Sequence, residues 1–243
     1  MKYKMTISYD GTNYGGWQVQ PNTLSIQGLI QDALKTVLRE PTPITASGRT
    51  DAGVHALAQV AHFTHEAPLD LHALLYSLNG ILPRDIRIRA LSSAPDTFHA
   101  RYSAKKKIYH YHLYLSPVQD PFRFLYSTPI RTPLDLNLIQ AALPAFLGRH
   151  DFSAFASAGC GSKNPIKTLF RLEMLLEPEG VRLEFEGDGF LYKMVRNIVG
   201  TLLEIGQNKL SVAAIPEILE SKDRRRAGPT APPKGLFLYK VDY

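Results

Sequence analysis

The residues best suited to chemistry lie in one short run, Ser47-Gly48-Arg49-Thr50-Asp51-Ala52-Gly53-Val54-His55-Ala56. Two glycines flank Arg49, Thr50 and Asp51, immediately ahead of a segment with strand character. Glycine admits unusual backbone angles and leaves room for a ligand to approach. Arg49 offers a planar cation for a phosphate, and Asp51 offers a nucleophile or base. Taken alone, a G-x-x-D segment is also an ordinary turn with a surface ion pair, because Asp and Gly are common turn residues. Asp51 with His55, His62, His65 and His72 raises a second chemistry, metal-dependent hydrolysis. The spacing argues against it: on a strand over residues 56–64, His55 and His62 point to opposite faces, and His62 and His65 lack the i, i+4 relation of a zinc helix. Neither a glycine-rich dinucleotide pattern nor a P-loop is present, so no cofactor is expected.

The elements that must position this run are legible from periodicity. Residues 2–9 alternate as a strand, and residues 26–40 carry an apolar helical face (Ile26, Leu29, Ile30, Ala33, Leu34, Val37, Leu38) that Ser25 caps and Pro41 ends. A strand over 56–64, a helix over 70–79 stopped by Gly80, and a strand over 85–91 complete a first α+β half, residues 1–104. The second half, residues 105–243, opens on an aromatic strand over 108–115 and continues with a helix over 134–147 that Pro144 kinks or shortens. Then come a hairpin over 170–176 and 181–187, an amphipathic helix over 190–205 with Arg196 off its apolar stripe, and a short helix over 211–220. A Pro/Gly-rich basic loop leads to a last strand over 236–243. The similarity of the two aromatic opening strands suggests duplication.

The 243 residues suffice for one large domain or two packed sub-domains. A single cysteine, Cys160, cannot form an internal disulfide, and no Cys/His spacing suggests structural zinc. No apolar run approaches the roughly 18–20 residues that span a bilayer, and residues 1–9 lack the apolar stretch of a signal peptide. A cytoplasmic protein is expected. The net charge of +6 favours a polyanionic partner.

The ten-residue run resembles the signature of the TruA family of tRNA pseudouridine synthases. Tyr9-Asp10-Gly11-Thr12-Asn13-Tyr14 with Gly16-Trp17-Gln18 is similar to that family's N-terminal segment. Phe98-His99-Ala100-Arg101 and Tyr109-His110-Tyr111 resemble its central segment, and Phe190 to Asn197 and Gly235 to Tyr243 follow in the family's order. The resemblance implies the pseudouridine synthase fold: α+β, two similar α/β sub-domains whose mainly antiparallel sheets join into a central sheet around an active-site cleft. It implies isomerisation of uridine in the tRNA anticodon stem-loop, at positions 38, 39 and 40, by a homodimer without cofactor or metal. By match to the family, Asp51 is the nucleophile, Arg196 its ionic partner, and Tyr109 the active-site tyrosine that stacks on the target base. Arg49, Arg101, Lys105, Lys107 and Lys193 are the expected RNA contacts; Lys106 belongs to the same run, and Arg224-Arg225-Arg226 is read as a mobile loop adding nonspecific attraction. His110 stands where the family often has a basic residue, and Pro144 interrupts a helix that relatives keep continuous. The competing reading is a noncatalytic RNA-binding module, which would bind tRNA without needing Asp51.

Overall fold

The computed structural model describes residues 1–162 and 164–243. It divides into two compact units, Met1–Lys105 with Phe237–Tyr243, and Lys106–Leu236.

In the first unit, strand β1 (Lys2–Tyr9) buries Tyr3, Met5, Ile7 and Tyr9 and turns Lys2, Lys4, Thr6 and Ser8 to the other face, the alternation its sequence demands. Helix α1 (Ile26–Leu38) starts where the Ser25 hydroxyl accepts the Gly28 N–H at 3.2 Å, a cap worth about 1 kcal/mol. It buries Ile26, Ile30, Ala33 and Leu34. The helix stops at Arg39, which takes a left-handed φ of 62°, two residues ahead of the expected proline stop. Strands β2 (Thr45–Ala46) and β3 (His55–Thr64), helix α2 (Leu71–Ile81) and strand β4 (Ile86–Ala94) follow. Gly80 does not end α2: the helix runs through it and yields at Leu82, whose extended backbone precedes Pro83. Strand β1 lies between β4 and β3, antiparallel to both, with β2 antiparallel on the far edge of β3.

In the second unit, β5 (Lys106–Tyr114) is followed by β6 (Thr128–Pro129), which pairs with it in parallel. Helix α3 (Leu136–Ala142) gives way to a 3-10 turn, Leu143–Phe146, at Pro144, so the proline shortens the helix as the sequence implies. Gly148 takes a φ of 90° and opens β7 (Gly148–Asp151), a strand without a sequence signal. The hairpin β8 (Ile166–Glu177) and β9 (Gly180–Gly187) is longer than its apolar alternation suggests. The sheet runs β5-β9-β8-β7, antiparallel throughout. Tyr109, Tyr111 and Leu113 stand opposite Phe185, Leu183 and Val181 on one face, all buried. The other face is ionic: Arg182 reaches Glu177 and Glu184, Arg171 reaches Glu173, Glu184 and Glu186, and Lys106 reaches Glu186.

Helix α4 (Met194–Gly206) begins four residues later than its apolar pattern indicates, because Lys193 takes a left-handed φ of 59° and Leu191 to Met194 form the turn leading in. Helix α5 (Ala214–Ser221) and a 3-10 turn at Arg224–Arg226 come next. The last strand, β10 (Leu236–Asp242), returns to the first unit and pairs in parallel with β3 through Phe237 and Leu238. The α+β class with mainly antiparallel sheets is thus as the sequence implies.

Candidate active site

The 47–54 loop of the first unit is fastened from beneath. Ser47 donates its hydroxyl to Gln59 Oε1 at 2.7 Å, and Gln59 Nε2 donates to the Gly48 carbonyl at 2.9 Å. Tyr9 and Thr50 share a buried hydroxyl–hydroxyl bond of 2.7 Å. Burial holds the Tyr9 phenol well above its ordinary pKa, so it stays protonated. Trp17 N–H donates to the Thr50 carbonyl at 3.0 Å, and Gly53 N–H to the Tyr14 carbonyl at 3.4 Å. Gly16, with φ of 95°, lies so close that a Cβ there would stand 2.6 Å from the Thr50 oxygen and 2.9 Å from the Asp51 carbonyl carbon. A Cβ on Gly11 would run into the Val54 carbonyl. His55, 1% exposed, accepts the Gly11 N–H at Nδ1, lies 3.0 Å from an Asp10 oxygen, and stacks on Phe237 at 4.6 Å. With Thr50 anchored inward, Arg49 is exposed and Asp51 half-buried.

Those contacts give physical meaning to the 9–17 segment, whose glycines and aromatics are the floor of the Asp51 loop. Gln59 is a support that sequence reasoning missed: a polar residue inside an apolar strand gave no sign that it bonds backward to residues 47 and 48.

In the second unit, Tyr109 is 8% exposed and meets the half-exposed Phe190 edge to face at 5.0 Å. Arg196 is 9% exposed, so it is no solvated helix residue. Its Nε donates to the Ala231 carbonyl at 2.8 Å, and its own carbonyl accepts the Ala231 N–H at 3.0 Å. The carbonyl of the next residue of that loop, Pro232, accepts the Tyr111 hydroxyl at 2.7 Å, so the segment that holds Arg196 is fastened to the side of β5 that carries Tyr109. Behind Arg196, Asn197 is fully buried: Nδ2 donates to the Phe155 carbonyl at 2.7 Å, while Oδ1 accepts from Thr230 at 2.6 Å and Arg224 at 2.9 Å. Thr201 accepts the Gly228 N–H at 2.9 Å, and Gly200 touches the Pro229 carbonyl so closely that no Cβ would fit. The basic loop therefore clamps α4. This corrects the reading of Arg224 as a mobile, nonspecific charge: it is structural, whereas Arg225 pairs with Asp223 and Arg226 with Glu217 at the surface.

Arg101 and Lys105 are exposed, Lys107 half-buried, and Lys193 half-buried with its ammonium 5.0 Å from the Tyr192 ring. Lys106 is engaged by Glu186 at 2.8 Å. His110 points to the ionic face, away from Tyr109, and lies 3.4 Å from Glu184. Burial pushes its imidazole down to about 4 against the opposing pull of Glu184. The histidines of the hydrolase reading are engaged separately, His62 by the Ala100 N–H, His65 by the Ala67 carbonyl and Glu40. Among the described residues no three His, Cys, Asp or Glu side chains gather as a ligand set. No helix among them is long and apolar enough to cross a membrane.

A family model described as tRNA pseudouridine synthase matches residues 5–103 and 142–243, stretches that take in Asp51, Arg101 and Arg196. The chain is 53% identical over 245 residues to tRNA pseudouridine synthase A 1 of Protochlamydia amoebophila, covering 99% of this chain and 96% of that one. It is 47% identical over 240 residues to tRNA pseudouridine synthase A of Geotalea uraniireducens, with 99% and 98% covered. Against the protein of that name from an Exiguobacterium species, identity is 42% over 242 residues, with 100% and 98% covered. The chain belongs to the tRNA pseudouridine synthase family, a family of isomerases.

Proposed function

We propose that this protein converts uridine to pseudouridine in the anticodon stem-loop of tRNA, with the Asp51 carboxylate as nucleophile. The observation that carries the assignment is the floor beneath Asp51. Tyr9, Gly11, Gly16, Trp17 and Gln59 all fix the backbone around one half-buried carboxylate, and a binding surface for polyphosphate gains nothing from a rigidly presented negative charge. In the reaction the bond from ribose C1′ to uracil N1 breaks, the base turns, and C1′ bonds to C5. The C5 proton leaves to solvent and N1 gains one, so every other atom is retained and no oxidant, metal or nucleotide is required.

Arg196 is the ionic partner of the carboxylate, and Tyr109 stacks on the extruded base, offsetting part of the few kcal/mol that unstacking costs. The clamp on α4 and the packing of Tyr109 against Phe190 support these roles by restricting both side chains. Arg49, Arg101, Lys105, Lys107 and Lys193 bind flanking phosphates. The protein acts in the cytoplasm as a homodimer.

The test is tritium release from unmodified tRNA labelled at uridine C5, comparing wild type with Asp51→Ala. Release by wild type alone is the expected result. Equal release by both would remove Asp51 from the chemistry, and tRNA binding without release by either would leave a noncatalytic RNA-binding module.

A further inference from the structure

The turn after β4 is fastened at several points and ends in an exposed aromatic ring. Phe98 packs against Tyr243 at 4.9 Å, its carbonyl accepts from Lys2 at 2.7 Å, and Lys4 lies 4.7 Å from the Tyr243 ring. Ala100 is pinned from both sides: its N–H donates to His62 Nδ1 at 3.1 Å and its carbonyl accepts the Tyr243 hydroxyl at 2.8 Å. His99 closes the turn. Its N–H donates to the Ser103 hydroxyl at 3.0 Å, and its Nδ1 accepts the N–H groups of Arg101 and Tyr102 at 3.2 and 3.3 Å.

The product of all this anchoring is Tyr102, whose side chain is 77% exposed. Its ring lies against His99 at 4.3 Å with 30° between planes, and the Arg101 guanidinium is 5.7 Å from it. A turn that needed only to reverse the chain would gain nothing from an exposed phenol ring. A rigid aromatic face with an adjacent cation is what a splayed nucleotide base and its phosphate require: every base has a π-face to stack, and the cation meets the backbone.

We infer that Tyr102, backed by His99 and flanked by Arg101, is a stacking platform for an unpaired base of the tRNA substrate, distinct from the target uridine. The inference rests on the tRNA reading above, and Lys2, Lys4 and Arg101 on the same unit give the positive surroundings that an RNA strand needs.

The test measures the tRNA dissociation constant by filter binding, and kcat and KM by tritium release, for wild type, Tyr102→Ala and Tyr102→Phe. The platform predicts that Tyr102→Ala raises both dissociation constant and KM roughly tenfold, with kcat within about twofold, while Tyr102→Phe, which keeps the ring, behaves as wild type. Unchanged binding and KM in Tyr102→Ala would overturn it. So would a loss confined to kcat, or an equal loss in Tyr102→Phe. Because binding is read without turnover, wild-type enzyme that releases no tritium would defeat the catalytic reading while the platform is still judged by the dissociation constants.

Discussion

The two loops that carry or clamp the charged groups solve the same problem with different materials. The 47–54 loop places Asp51 in irregular backbone, held by neutral hydroxyls, amides and glycines without Cβ atoms. The 223–231 loop grips the Arg196 side chain directly through the Ala231 carbonyl, and it also locks the helix that fixes the backbone by setting a second arginine on a buried amide. The difference shows where precision is needed. A carboxylate on a short side chain is aimed by its backbone, whereas a long guanidinium must be aimed along its stem.

The sharpest way to break this contrast is to push on the first loop's floor. Gly16→Ala puts a methyl against rigid backbone at a left-handed residue, so it should lower activity about a hundredfold, the scale of a displacement near 1 Å, and destabilise by about 2–4 kcal/mol. Steady-state kinetics and urea unfolding check both. In the second unit, Asn197→Ala strands a buried carbonyl, a hydroxyl and the Arg224 guanidinium, and should cost about 2–3 kcal/mol in urea unfolding. Tyr9→Phe removes one buried bond and should cost about 1 kcal/mol, yet reduce kcat more than KM if the floor serves positioning.

The ionic face supplies a pH test. His110 binds protons less readily folded, near 4, than unfolded, near 6.5. Its contribution to stability is therefore complete above about 6.5 and lost as pH falls towards 4, and His110→Gln should flatten that limb of the stability–pH curve. The smallest effect is expected of Arg225→Ala, whose exposed pair with Asp223 should leave unfolding indistinguishable from wild type, in contrast to Arg224→Ala next to it.

Periodicity located β1, α1 and β9 because each buries one largely regular face, and the pattern survives in sequence, whereas β3, buried at consecutive residues 59–61, reads as a strand from its apolar content. Periodicity misplaced the start of α4, since Leu191 continues the apolar stripe while the left-handed backbone at Lys193 is a tertiary outcome. It missed β7, whose four residues, Gly148–Asp151, carry no alternation. The glycine-flanked Asp51 run stands out in the sequence; the contacts that support it do not. Hydrogen bonds from Gln59 or Arg224 join residues far apart in the chain, and neither residue type announces a partner.

One feature of the topology bears on how the molecule is made. The first unit's sheet is completed by β10, whose residues follow the whole of the second unit in the chain, and Phe237 of that strand stacks on His55 beside the Asp51 loop. At about 5–20 residues per second of synthesis, the first unit waits on the order of ten seconds for its last strand. Until then the edge of β3 is open at His55 and Ala56, and His55 lacks its ring partner, so a nascent chain cannot present a finished Asp51 loop to tRNA before translation has passed Phe237.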